Sequence, residues 1–229
     1  DPTHGDARAC AAIEQVIVPR VSDIGGFEVR RALPFAGRRM IGPFVFLDQM
    51  GPSEFLLGQG LDVRPHPHIG LSTVTYLFDG TITHRDSLGV VQDIHPGALN
   101  LMTAGYGISH SELLLRGPQS LHAVQLWVAL PEESRAIAPA FEHRNDLPKF
   151  ALNGGEATVL IGSFMGHTAK TSVFSEMVGV ELRLQAGATF EIELEHEFEY
   201  GLLPLEGSIF VDGESVPRSA LKYVPTSTN

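Results

Sequence analysis

The sequence has little cysteine and little positive charge. Cys10 is the one cysteine among 229 residues, so no intramolecular disulfide can form, and this fits a reducing compartment. We interpret Cys10 as an inert thiol, because reactivity requires surroundings that lower the thiol pKa. The 27 Asp and Glu outnumber the 16 Lys and Arg, for a net charge of −11. Since binding a phosphate backbone needs clustered basic side chains, we expect no direct nucleic-acid binding.

Long apolar runs are also missing. A helix that spans a bilayer needs about 20 predominantly apolar residues in a row, and no segment of the sequence offers them. Residues 1–10 are polar and lack the apolar region of a secretion signal. We therefore expect a soluble, cytoplasmic protein that makes no membrane contact.

Turn-forming residues are abundant and divide the sequence into short apolar runs. The chain has 24 Gly and 15 Pro, and 43% of its residues are hydrophobic. Short runs bounded by such turns are typical of all-β sandwiches and barrels. The predicted strands are residues 13–18, 27–33, 44–48 (ending at Gly51-Pro52), 71–78, 81–86, 90–94, 98–104, 122–130, 157–163, 178–184, 189–194, 202–205 and 208–211.

Several local signals refine this organisation. Asp79-Gly80, between two strand-like runs, predicts a hairpin. Residues 131–135 begin with Pro and two acids and predict one helical turn, and the Pro- and Ala-rich segment up to Phe141 predicts a connection. We place a domain boundary here, giving domains 1–133 and 134–229. Residues 203–209 faintly repeat the pattern of residues 76–82, as duplicated barrels would.

Two short motifs carry side chains that can bind a metal ion. His66 and His68 lie two residues apart, as do His110 and Glu112. Because side chains at i and i+2 share one face of a β-strand, two such strands packed across a barrel interior bring three imidazoles and a carboxylate together. Nitrogen and oxygen ligands without thiolate suit Fe, Mn, Co, Ni, Cu or Zn. The alternative is four polar side chains on solvent-facing strands.

A longer series of motifs resembles a known family. Gly60-x5-His66-x-His68, with Gly80 further on, resembles the first cupin motif. The chain is similar to the pirin family, in order and spacing, over roughly residues 15–145. The matching segments are 42–48, 65–70, 73–77, 84–89, 96–97, 102–112 and 125–131.

The resemblance implies an all-β protein with two cupin barrels, of the double-stranded β-helix or jelly-roll type, and few short helices. It implies a metal ion in the N-terminal barrel, held by His66, His68, His110 and Glu112. Iron(II) is the ion expected first, with Mn, Co, Ni, Cu and Zn as alternatives. The second barrel shows no such motif, so we predict that it holds no catalytic metal. Family members extend beyond this sequence, so we expect that barrel to be incomplete at its end.

Two positions depart from the family pattern. Ser72 and Thr73 occupy the place of the acid that follows the paired histidines in cupins, and Ile69 replaces a common basic residue. That acid is not the usual fourth ligand in pirins, so the metal is expected to remain. The mouth of the site is expected to be more apolar.

The resemblance also implies an activity. Bacterial pirin-like proteins are associated with quercetin 2,3-dioxygenase activity, in which O2 opens the flavonol heterocycle and carbon monoxide is released. We therefore predict a metal-dependent dioxygenase acting on a small flavonol-like aromatic, with Glu112 as ligand and candidate catalytic base. One alternative is a non-enzymatic, metal-binding regulator with a protein partner, as implied by human pirin. Another is a cupin enzyme with a different small substrate.

Other side chains receive structural interpretations first. His84 is expected to make a structural hydrogen bond in a turn, His95 to lie in a surface turn, and His122 to lie in the core or beside the site. Four aromatic or sulfur-containing side chains could belong to the barrel core or line a pocket for an aromatic substrate. They are Phe44, Phe46, Met102 and Trp127. The alternating acids from Glu191 to Glu197 are interpreted as a solvated strand face rather than a cation site.

Overall fold

The computed structural model describes residues 15–24, 27–56, 60–114 and 119–226. Cys10, the polar segment 1–10 and the start of the first predicted strand lie outside the described residues. Within them the chain is almost entirely β, and its one helical element is a 3-10 turn, Glu132–Ser134, where a helical turn was predicted. No described helix has the length and hydrophobicity that crossing a bilayer requires.

Two facing sheets build the first half of the molecule. The larger sheet has seven strands, in the order β12-β9-β6-β11-β4-β3-β2, and the smaller has four, in the order β5-β10-β7-β8. These strands are β2 (Arg20–Asp23), β3 (Glu28–Leu33), β4 (Phe44–Phe55), β5 (Asp62–His68), β6 (Leu71–Asp79), β7 (Ile82–Asp86), β8 (Val91–Ile94), β9 (Leu99–Thr103), β10 (Ile108–Leu114), β11 (Gln119–Ala129) and β12 (Ala140–Arg144).

Smaller sheets build the second half. β14 pairs with β13 and β16 and, further along, with β15; β18 pairs with β19; and β20 lies between β1 and β17. The strands are β1 (Val16–Ile17), β13 (Lys149–Leu152), β14 (Gly155–Phe164), β15 (His167–Thr168), β16 (Val178–Leu184), β17 (Tyr200–Leu202), β18 (Ile209–Val211), β19 (Glu214–Val216) and β20 (Leu221–Val224). Because β1 pairs with β20, strands from the two ends of the described chain share one sheet.

Alternation along β6 gives the larger sheet two buried faces. Leu77 packs into the cluster between the two sheets, together with Ile82 and Leu114 of the smaller sheet. Its neighbour Tyr76 points the other way, into a cluster that includes Leu160 of the second half. A strand buried on both faces is nearly continuous in hydrophobicity, as the sequence of β6 is. The side chains of the smaller sheet that face the larger sheet therefore lie between two sheets that are each held in place by packing.

The predicted hairpin at Asp79-Gly80 is wrong. β6 belongs to the larger sheet and β7 to the smaller one, so the chain crosses between sheets at this turn. Gly80 has a φ of 91°, and a Cβ placed on it would lie 2.3 Å from the carbonyl oxygen of Ser120. The glycine is required by a close approach to β11 rather than by a two-residue hairpin.

Three further strand assignments differ from expectation. Residues 189–194 form no strand: Glu191 and Glu193 are exposed and Ile192 half-buried, but no described strand pairs with this segment. Alternating polar and apolar residues indicate that one side of a segment is buried. Such burial does not require a hydrogen-bonded neighbouring strand. β4 continues through Gly51-Pro52. The expected connection before Phe141 contains the start of β12, which pairs with β9 across the proposed boundary at residue 133.

Candidate metal centre

Two paired strands of the smaller sheet carry the motif residues. Along β10, Ile108, His110 and Glu112 are buried while Ser109 is exposed, as a period of two requires. β5 lies directly beside β10, and the register places His66 opposite His110. The motifs therefore meet as neighbours in one sheet, not across the barrel interior as expected. Both strands turn these side chains towards the larger sheet.

Three imidazoles converge through their Nε2 atoms. His110 Nε2 lies 3.1 Å from His68 Nε2 and 3.1 Å from His66 Nε2. The ring centroids are 4.5 to 5.0 Å apart. His68 and His110 are buried, and His66 is half-buried. The structure thus brings together the three histidines that the spacing selected.

Glu112 joins this cluster through His110. Its carboxylate forms a second compact group with His84 and His110, in which one ligand atom from each residue lies within 4.8 Å of the others. Thr75 Oγ1 and Gln125 Nε2, from the larger sheet, both donate to Glu112 Oε1, at 3.2 and 3.3 Å. Oε2 is the oxygen that neither donor occupies.

Burial sets the protonation of these groups. Desolvation, helped by the nearby His66, lowers the pKa of His68 to about 4. Desolvation and the neighbouring histidines lower the pKa of His110 still further. Desolvation raises the pKa of Glu112, opposed by His84 and by the hydrogen bonds from Thr75 and Gln125. His68 and His110 are therefore neutral at neutral pH, and their ring lone pairs are available to a cation.

These depressed pKa values predict acid sensitivity of the metal-free protein. Between about pH 6.5 and about pH 4, His68 is protonated in the unfolded chain but remains neutral in the folded chain. The contribution of His68 to the free energy of unfolding should therefore fall as the pH is lowered through this window, against an opposite contribution from Glu112, whose pKa is raised by burial. Denaturant unfolding of metal-stripped protein at several pH values measures the slope, and His68→Gln should flatten it. An unchanged slope in His68→Gln would show that this imidazole is not the group responsible.

Trp127 borders the cluster from the larger sheet. Its ring stacks on Phe46, with centroids 4.0 Å apart, and meets the His68 ring edge-on at 5.0 Å. Phe44 instead packs in the cluster shared with the second half, and Met102 packs with Ile108. Of the four candidate pocket residues, Trp127 contacts the histidine cluster directly, and Phe46 contacts Trp127.

The remaining candidate histidines differ in whether they contact the histidine cluster. His84 is buried on β7 and lies against His110, with Nδ1 atoms 3.4 Å apart. The sequence interpretation of His84 as a structural hydrogen-bonding residue missed this contact. His95 contacts Thr81 at an exposed site, as expected. His122 is buried against Phe78, and it does not belong to either compact ligand group among the described residues.

The donor set fits a divalent transition metal. Imidazole nitrogens and a carboxylate oxygen are the ligand types that such ions accept, and neither compact group among the described residues contains a thiolate. The buried residues His68, His110 and Glu112 belong to these two compact groups. The two groups share His110, and Glu112 lies outside the group formed by the three histidines.

Comparison with known proteins identifies the family. The sequence profile of the Pirin family matches residues 26–128. A Pseudomonas aeruginosa protein named "putative quercetin 2,3-dioxygenase" is 48% identical over 92% of this chain and 67% of its own length. A pirin-like protein of Caulobacter vibrioides is 42% identical over 94% of this chain and 78% of its own. The chain belongs to the pirin family.

A solved structure supports the same assignment for the fold. The crystal structure of a quercetin 2,3-dioxygenase from Acinetobacter baumannii superposes on this pirin with a TM-score of 0.91 at 44% identity. The superposition covers 94% of this chain and 73% of the other. The expected all-β, two-cupin fold class is confirmed by this likeness.

Proposed function

We propose that this pirin is a metal-dependent dioxygenase that opens the heterocycle of a flavonol with O2 and releases carbon monoxide. The observation that carries the proposal is the convergence of three imidazoles through their Nε2 atoms, next to the buried carboxylate of Glu112. The names of the Pseudomonas and Acinetobacter relatives supply the reaction class. Quercetin and O2 together contain all the atoms of the ring-opened depside and carbon monoxide, so the reaction needs no external reductant.

The metal ligands in this proposal are His66, His68, His110 and Glu112, with iron(II) as the first expected ion. When bound, the ion would supply positive charge that stabilises a substrate oxyanion. The chain's own residues orient the ligands and exclude water. Glu112 Oε1 is held by Thr75 and Gln125, so Oε2 is the atom able to accept the proton of a flavonol hydroxyl.

Exposed apolar side chains in the turns that follow β5 and precede β10 support an aromatic substrate. Ile69, next to His68, is 71% exposed, and Tyr106 is 62% exposed. The turns that carry them are joined by a hydrogen bond of 2.8 Å from Gly70 N to Gly105 O. Flat aromatic ligands are bound by apolar and aromatic surface with a few polar groups that fix orientation. Ile69, where the family often has a basic residue, makes this edge suited to such a ligand.

The activity is tested by loading metal-free protein anaerobically with Fe, Mn, Co, Ni or Cu in turn and then adding quercetin and O2. We expect carbon monoxide release equal to quercetin loss with at least one ion. The absence of turnover with all five would reject the flavonol activity. Tight metal binding in the same samples would then favour the regulator or another cupin substrate.

A further inference from the structure

We propose that Asp86 and His84 form a hydrogen-bonded relay that holds His110 in the tautomer protonated at Nδ1. They are positioning residues, and their role in metal binding rests on the metal centre proposed above. The relay is visible as a continuous chain of contacts, from Asp86 Oδ2 to His84 Nε2 at 3.0 Å and from His84 Nδ1 to His110 Nδ1 at 3.4 Å. It ends at the imidazole whose Nε2 faces the other two histidines.

The relay starts at a carboxylate that the backbone fixes. Asp86 Oδ1 accepts hydrogen bonds from the backbone N–H groups of Leu88 at 2.9 Å and Val90 at 3.1 Å. The Asp86 side chain has no exposed surface. Two backbone donors on one oxygen lock the orientation of the carboxylate, so Oδ2 points at His84. An ionised carboxylate is an acceptor only, and His84 must therefore place an N–H at Nε2.

The position of the proton on His84 determines the position of the proton on His110. A neutral imidazole has one N–H and one lone pair. With its proton on Nε2, His84 offers a lone pair at Nδ1, and His110 donates its Nδ1–H to it. His110 Nε2 is then left with a free lone pair, directed at His66 and His68. The tautomer that can bind a cation is thus the one that the relay selects.

Packing keeps the relay rings in place. The His84 ring stacks on Phe141, with centroids 4.5 Å apart and an interplanar angle of 23°. Strand pairing places Asp86 opposite His110 and Glu112 opposite His84. His66 has a simpler arrangement of its own, with Nδ1 2.8 Å from the carbonyl oxygen of Arg64. Hydrogen bonds of this kind to the second ring nitrogen orient metal-binding histidines in general.

Asp86→Asn reverses the relay while nearly preserving its shape. The backbone N–H groups of Leu88 and Val90 require an acceptor, so the amide oxygen should occupy the Oδ1 position and the NH2 group should face His84. His84 would then accept at Nε2 and carry its proton on Nδ1. His110 would be forced to carry its proton on Nε2, where the cation is expected.

The first measurement is the tautomer of His110 in metal-free protein. Long-range 15N–1H spectra of histidine-labelled protein, at a pH where the imidazoles are neutral, should show Nδ1–H in the wild type and Nε2–H in Asp86→Asn. The second is affinity for Co(II), measured by competition with a chromophoric chelator. We expect Asp86→Asn to bind Co(II) about 10- to 100-fold more weakly than the wild type.

Matched variants separate the relay from general damage. Asp93→Asn makes the same charge change on β8 of the same sheet, where the carboxylate accepts from Thr83, and should bind like the wild type. His84→Gln can still accept from His110 through its amide oxygen and should bind more tightly than His84→Leu. If Asp86→Asn folds poorly, the order of the two His84 variants still decides.

The outcomes distinguish this inference from the proposed function. An unchanged His110 tautomer in Asp86→Asn, or equal Co(II) affinity of His84→Gln, His84→Leu and the wild type, would overturn the relay. If wild-type protein fails to bind Co(II) or any other ion, the metal centre fails, and the tautomer spectra still establish or overturn the relay.

Discussion

Replacing His110 with alanine is expected to abolish metal binding and flavonol turnover together. His110 Nε2 is the atom 3.1 Å from both other Nε2 atoms, and His110 is the residue shared by the two compact ligand groups. Removing it leaves His66 and His68 without their common neighbour and ends the contact to Glu112 and His84. The affinity loss should exceed the roughly 10- to 100-fold that loss of an outer hydrogen-bond partner costs.

Elemental analysis of protein purified without added metal, followed by chelator competition, measures this effect. His143→Ala is the matched control, because His143 is half-buried on β12, bonds to Asn100 and belongs to neither group. The control should retain wild-type metal content. A full complement of metal in His110→Ala, with a wild-type circular dichroism spectrum, would contradict the assignment of the centre.

The local part of the site was predictable because it depends on the strand period alone. His66 with His68, and His110 with Glu112, share faces wherever their segments are extended. The pairing of β5 with β10 depends on contacts between segments 42 residues apart in sequence. Such pairing is not encoded in either motif, so the expectation of strands facing across a barrel was wrong, although the three histidines do lie together.

His84 was assigned a lesser role for a related physical reason. His84 and Asp86 have the same i, i+2 spacing as the motifs that were selected, so a signal was present. Its meaning depended on which strand lies beside β7, and the structure places β10 there. Likewise, β12 has no strong apolar alternation, and it becomes a strand because β9 offers an open edge. In both cases the outcome depends on which strand pairs with which, and strand pairing is a property of the tertiary structure.

Replacing Glu112 with glutamine is expected to lower kcat by about 10² to 10⁴-fold when the protein is saturated with metal. Thr75 and Gln125 both donate to Oε1, so the amide oxygen should take that position. The NH2 group would then replace Oε2, where it can neither accept a substrate proton nor ligate a cation. The substitution nearly preserves side-chain volume, so packing around this buried residue should survive.

Measurements at saturating metal separate the two roles of Glu112. If the residue is only a ligand, excess metal should restore most of the activity of Glu112→Gln. If it also accepts the substrate proton, kcat stays low at full occupancy, and a flavonol whose hydroxyl is already ionised should recover activity preferentially in the variant.

Glu181→Gln provides the matched control for Glu112. The Glu181 carboxylate is also largely buried and accepts from a hydroxyl, that of Tyr76, but it lies between the two halves of the molecule rather than among the histidines. Its replacement should leave kcat and metal affinity unchanged. Wild-type turnover by Glu112→Gln would show that the carboxylate is dispensable, and the proton of the substrate would then have to leave to another acceptor in the cluster.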